Sequence, residues 1–135
     1  MKGNWTDWQM RVLVVEDDPD SALAMSLLLR QAGHEVQVAP DGETAVAAAR
    51  GNAPDVILLD LWLPGMDGWQ VARQVQEQPA EKKPLLVAVS GHNSEQAHRR
   101  SEEAGIDLHL DKPVDPDRLR WLLDRFRNVI AEPTC

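Results

Sequence analysis

Five short apolar runs divide the chain: RVLVVE at 11–16, EVQVA at 35–39, DVILLD at 55–60, PLLVAVS at 84–90 and DLHLD at 107–111. Each is too short for a helix and is bounded by turn-forming residues, so each predicts a strand. Val56 to Leu59 is unbroken in its apolar character, the pattern of a strand covered on both faces in a parallel sheet. EVQVA alternates instead, which places it at a sheet edge.

Between the strands the punctuation is helical. Asp18 is a predicted N-cap with Pro19 at the first helical position, and Gly33 stops that helix. Leu23, Leu27 and Arg30, with Ala22, Met25 and Leu29 nearby, predict a broad apolar stripe on it. Asp41-Gly42 opens an alanine-rich second helix that Gly51 is expected to close. A third helix is expected from about Gly68 to Glu77, with Asp67 as its cap, and a polar fourth from about Ser94 to Ala104, stopped by Gly105. Asp115-Pro116 starts a fifth that reaches about Ala131.

Strand and helix in strict alternation imply an α/β fold: a five-stranded parallel sheet with helices on both faces. The expectation is one domain over 10–131, an N-terminal arm over 1–9 and a C-terminal tail over 132–135. Trp5 and Trp8 make that arm unusual, because indoles in a polar segment call for something to pack against.

Composition narrows the function more than the fold. At 135 residues, 43% apolar and 27% charged, the chain suits one soluble domain with a single real core. No apolar run approaches the roughly 20 residues of a membrane span. MKGNWTDWQM lacks the apolar core of a signal peptide, so a cytoplasmic location is expected. Cys135 is the single cysteine, which excludes an internal disulfide.

The net charge of −8 is uneven, with 4 Lys/Arg against 11 Asp/Glu in residues 1–67 and 10 against 11 in 68–135. That balance argues against nucleic-acid binding and suits a metal cation or a positively charged partner. His98, Arg99 and Arg100 on the fourth helix, with Arg118, Arg120, Arg125 and Arg127 on the fifth, are either a partner-binding face or ordinary solvated charge.

Open α/β sheets build their sites beyond the carboxyl ends of the strands. Here the first strand ends in Glu16-Asp17-Asp18, the third in Asp60, the fourth in Ser90-Gly91 and the fifth in Asp111-Lys112-Pro113. Asp60 is either a polar strand end or a carboxylate held for chemistry, since an unpaired acid at the end of a buried strand is costly. Carboxylates gathered there repel one another by about 4 kcal/mol per pair at 4 Å. Mg²⁺, which takes carboxylate and phosphate oxygens, removes that cost, and the Lys112 ammonium completes the neutralisation. An aspartate between a metal and a lysine is suited to attack phosphorus, with Ser90 as hydrogen-bond donor to a phosphoryl oxygen.

Val12-Leu-Val-Val-Glu-Asp-Asp18, Asp60-Leu-Trp-Leu-Pro-Gly-Met-Asp-Gly68, Val89-Ser-Gly91 and Lys112-Pro113 together resemble the receiver domain of bacterial two-component response regulators, over about residues 10–130. The resemblance implies the flavodoxin-like strand order 2-1-3-4-5. It implies Asp60 as phosphoacceptor, fed by a histidine kinase, a histidine phosphotransfer protein or a small donor such as acetyl phosphate. Asp17 would be the direct Mg²⁺ ligand, Glu16 would act partly through water, and the backbone carbonyl of Trp62 would join Asp60 in the metal shell. Lys112 would contact the phosphoryl group, and its bond to Pro113 is usually cis in the family.

Ser90 takes the switch-hydroxyl position, more often threonine, and His109 takes the switch position usually held by tyrosine or phenylalanine. The alternative for His109 is a surface strand histidine with no switching role. Trp62 and His92 fall at positions that tune phosphoryl lifetime in the family. The phrasing around Asp67-Gly-Trp69 and Gly105 to Pro116 is similar to receivers joined to hybrid sensor kinases. The expected protein is thus a signalling module that switches partner binding as a monomer or weak dimer, catalysing only its own phosphorylation and dephosphorylation.

Three alternatives share the strand-end acid. A phosphatase of the haloacid dehalogenase type would need a second acid two residues after the nucleophile, where this chain has Trp62. A flavin carrier of the flavodoxin type would need a phosphate-binding loop after the first strand, where this chain has Glu-Asp-Asp-Pro. A phosphorylation-independent scaffold would have no need of the complete acid and lysine set.

Overall fold

A computed structural model describes residues 9–79, 83–91 and 95–131. The strands are β1 Arg11–Val15, β2 Glu35–Ala39, β3 Val56–Asp60, β4 Leu85–Ser90 and β5 Leu108–Asp111. The helices are α1 Pro19–Gln31, α2 Gly42–Asn52, α3 Gly68–Glu77, α4 Glu95–Glu103 and α5 Pro116–Ala131. All strand pairs are parallel, in the order β2-β1-β3-β4-β5. The expected architecture is therefore the observed one. The arm with Trp5 and Trp8, His92 and the tail with Cys135 lie outside the described residues.

β3 sits at the sheet's centre with every residue buried, as its unbroken apolar run predicts. Its side chains alternate between two cores. Ile57 and Leu59 join Leu13, Val15, Trp69, Val71 and Ala88 on one face, while Val56 and Leu58 join Val12, Val14, Leu29, Leu119 and Leu123 on the other. Helices α2, α3 and α4 cover the first face, and α1 and α5 the second. β2 lies at one edge with only Ala39 buried, which accounts for its alternating sequence.

The helix starts follow their caps. Asp18 accepts from the Ser21 amide at 3.1 Å, Asp41 from that of Thr44 at 2.8 Å and Asp67 from that of Gln70 at 2.9 Å. Asp67 and Gln70 exchange bonds in a capping box. Gly33 and Gly105 end α1 and α4 with positive φ, as expected.

Two helical expectations need correction. Gly51 lies inside α2, and the left-handed residue that ends the helix is Ala53, at φ 45°. Pro54 disfavours the right-handed helical region for the residue before it, so the turn falls on Ala53 despite its Cβ. In α1 the buried stripe is Ala22, Ser26 and Leu29, whereas Leu23 and Leu27 are 57% and 51% exposed. The small Ala22 and Ser26 permit close packing on the sheet, and the Ser26 hydroxyl is satisfied by the Ala22 carbonyl at 2.7 Å.

Candidate functional site

Parallel pairing brings the ends of β1, β3, β4 and β5 to one edge of the sheet. Val15 pairs with Leu59, Asp60 with Val89, and Ser90 with Asp111, so the residues that follow are carried to a common place. Glu16, Asp17 and Asp60 present carboxylate oxygens within 4.8 Å of one another. Lys112 lies between two of these acids, its Nζ 3.2 Å from Asp60 Oδ2 and 3.3 Å from Glu16 Oε1. Its N–H donates to the Ser90 carbonyl at 2.9 Å, which fixes its backbone against β4, and its bond to Pro113 is cis.

Asp60 is 7% exposed and fully committed in geometry. Its Oδ2 meets Lys112, while its Oδ1 accepts the Trp62 N–H at 3.1 Å, which folds the loop after β3 back over the carboxylate. The Trp62 indole then reaches across to β4, donating from Nε1 to Ser90 Oγ at 3.2 Å. Ser90 is completely buried, and Trp62 is half exposed above it. A lid of this kind was not readable from the sequence, because Trp62 and Ser90 are 28 positions apart.

Electrostatics favour a further cation. Burial pushes the Glu16 carboxyl above its ordinary value; the Asp18 N–H, donating at 3.2 Å, draws it back, and the Asp60 charge raises it again. Burial alone would lower the Lys112 ammonium, but the Asp60 and Glu16 carboxylates outweigh it and raise the group. Three carboxylates against one ammonium leave two negative charges uncompensated at a cluster of hard oxygen donors. That balance and donor set fit Mg²⁺.

Gly68 holds the floor. Its N–H donates to the Leu61 carbonyl at 3.0 Å, and a Cβ there would meet the Asp60 carbonyl oxygen at 2.7 Å and Leu61 Cα at 2.8 Å. Both obstacles are backbone, so neither can swing aside. Gly68→Ala is expected to lower stability by about 1–3 kcal/mol, read as an earlier urea midpoint with an unchanged slope.

Not every predicted residue joins this cluster. Asp18 caps α1, and Asp67 caps α3. His109 stacks on His98 with ring centres 4.0 Å apart and planes 9° from parallel. Burial, and then the neighbouring His98, draw the His109 imidazole below its ordinary value. Part of the basic helix surface is internally engaged. Arg100 lies 3.8 Å over the Trp69 ring and 3.9 Å from Asp67, Arg125 lies over Trp121, and Arg127 pairs with Asp124 at 3.0 Å. Sequence reasoning also missed Asp55, a buried acid that accepts the Arg11 N–H at 2.8 Å and ties β1 to the start of β3.

Comparisons with known proteins agree on one grouping. The family model described as the response regulator receiver domain matches residues 12–124. Protein PilH of Pseudomonas aeruginosa is 32% identical over 109 residues, covering 81% of this chain and 90% of PilH. Response regulator PleD of Caulobacter vibrioides is 35% identical over 126 residues, covering 90% of this chain and 28% of PleD. Among solved structures, the receiver domain of a Pseudomonas aeruginosa sensor histidine kinase superposes with a TM-score of 0.82 at 27% identity. The match covers 90% of this chain and 99% of that one, whose active-site cleft coordinates a magnesium ion.

Proposed function

Since the chain belongs to the receiver-domain family of two-component response regulators, we propose that Asp60 is its phosphoacceptor and that phosphorylation there switches its binding to a partner protein. The observation that carries this reading is the buried Asp60 carboxylate held at 3.2 Å by the Lys112 ammonium, beside Glu16 and Asp17. Histidine kinases or histidine phosphotransfer proteins are the proposed donors, and acetyl phosphate is a small surrogate.

In the reaction an Asp60 oxygen forms a bond to phosphorus while the donor's P–N or P–O bond breaks, its electron pair leaving with the donor. Lys112 offsets the charge spread over the phosphoryl oxygens. The Ser90 hydroxyl, which accepts from Trp62, is positioned to donate to one of those oxygens once the indole moves aside. Glu16, Asp17, Asp60 and the Trp62 carbonyl would hold Mg²⁺. When bound, the ion supplies positive charge at the phosphoryl group and relieves repulsion among the acids. Ser90 and His109 are the proposed switch pair, and a nearly complete switch needs about 5.5 kcal/mol of preference for one conformation.

Acetyl phosphate with Mg²⁺ is expected to add a single phosphoryl group per chain by intact mass, and a chelator to prevent it. A chain that gains no mass under these conditions is not a phosphoacceptor, and the scaffold reading then stands. Lys112→Ala and Ser90→Ala are each expected to retain some labelling but to lose most of the Trp62 fluorescence response to beryllofluoride. A full response in both variants would remove these residues from the switch.

A further inference from the structure

We propose that His98, His109 and Asp111 form a second, chemically distinct metal site, one that takes a borderline divalent transition-metal ion such as Zn²⁺. His109 and Asp111 are two positions apart on β5 and so project from the same face of the strand. That face carries α4: the strand partner of His109 is Ala88, a member of the core that includes Ala97 of α4. His98, on α4 next to Ala97, thereby lies flat against His109. One ligating atom from each of the three residues lies within 4.8 Å of the other two.

Coordination needs both closure and reorientation, because imidazole lone pairs lie in the ring planes and the two stacked rings present nearly parallel planes. Zn–N and Zn–O bonds of about 2.0–2.2 Å place tetrahedral ligand atoms about 3.3 Å apart, so atoms now within 4.8 Å of one another must close by up to about 1.5 Å. Asp111 is exposed and His98 half-buried, so the His98 ring can turn out of the stack to aim a nitrogen at the ion while Asp111 swings towards it.

His109 supplies an independent reason. Both of its ring nitrogens are buried and have no hydrogen-bond partner among the described residues. A buried polar atom left in that condition costs about 1–3 kcal/mol, and coordination satisfies one nitrogen outright. Two imidazoles and a carboxylate select Zn²⁺ and its neighbours, whereas the all-oxygen cluster at Asp60 selects Mg²⁺. The fourth tetrahedral position is left to water or to a side chain from a partner. The bound ion clamps α4 to β5 one residue before Lys112, which places the two sites on a common support. The site itself does not depend on Asp60 being the phosphoacceptor.

The test is calorimetric titration with Zn²⁺ in saturating Mg²⁺, which fills the acid cluster, using Cys135→Ser to remove the terminal thiol. One Zn²⁺ per chain is expected. Loss of an outer-shell partner typically weakens a metal site 10–100-fold, so His98→Ala, His109→Phe and Asp111→Asn should each weaken binding by at least about 100-fold. Co²⁺ should give the intense visible absorption of a tetrahedral centre, lost in the same variants. His98→Ala should still take up phosphoryl from acetyl phosphate as the parent does, which establishes that it folds. Zinc affinity unchanged in His98→Ala and Asp111→Asn would overturn the site, as would binding lost in Asp17→Asn instead, or no binding at micromolar zinc.

Discussion

Asp60→Asn is expected to abolish phosphoryl uptake from acetyl phosphate while leaving the protein folded. The amide has the shape of the carboxylate but lacks the anionic oxygen that attacks phosphorus. Its oxygen can still accept the Trp62 N–H that Asp60 Oδ1 takes at 3.1 Å, so the loop after β3 keeps its anchor. The substitution removes one acid from the cluster of Glu16, Asp17 and Asp60, and with it part of the force that raises the Glu16 carboxyl. It also removes the closer of the two carboxylates that hold Lys112. These effects oppose each other, and the net change in stability should stay within about 1 kcal/mol. The comparison is intact mass after acetyl phosphate treatment, with urea denaturation of both proteins as the folding control. A folded variant that labels as well as wild type would move the nucleophile elsewhere.

The largest stability effect is expected at Trp69, on the first turn of α3. It is 1% exposed, donates from Nε1 to the buried Ser101 Oγ of α4 at 3.0 Å, and lies under Arg100. It also meets Trp62 edge to face with ring centres 5.5 Å apart. One indole thus joins α3 to α4 and supports the side chain that covers Ser90. Truncation to alanine leaves a large cavity in the core under α3 and α4, and Trp→Ala changes of this kind cost about 3–5 kcal/mol. Trp69→Phe keeps most of the ring but strands the Ser101 hydroxyl, for about 1–3 kcal/mol. Urea midpoints should therefore fall in the order wild type, Trp69→Phe, Trp69→Ala. A Trp69→Ala midpoint close to that of wild type would mean that α4 is held by something other than this indole.

The sequence was legible where local rules act. Strand positions followed from short apolar runs, and the caps at Asp18, Asp41 and Asp67 followed from side chains that bond amides three residues away. Parallel pairing then made the strand ends converge, so Glu16, Asp17, Asp60, Ser90 and Lys112 were found by asking which residue each strand ends in. What failed depended on partners far along the chain. The rotation of α1 is set by how closely Ala22 and Ser26 let it approach the sheet, and the Leu23 and Leu27 stripe looks equally good in isolation. The end of α2 was misplaced because a proline's effect on its predecessor outweighed the conformational freedom of Gly51. The Trp62 bond to Ser90 and the His98 stack on His109 join different elements, and neither has a signature in local spacing.

The same rotation of α1 presents Leu23 and Leu27 to solvent. They are not core residues that failed to pack, since the Ala22, Ser26 and Leu29 stripe already fills the space over the sheet. No helix among the described residues is long and apolar enough to cross a membrane.

The central claim is that one carboxylate, at the end of the central strand, receives the phosphoryl group. Borohydride reduces an aspartyl phosphate to homoserine, and peptide mass spectrometry then locates the residue that was modified. After treatment with acetyl phosphate and Mg²⁺, homoserine is predicted at position 60 and at no other acid. Homoserine at position 17 or 55, with Asp60 intact, would contradict the account.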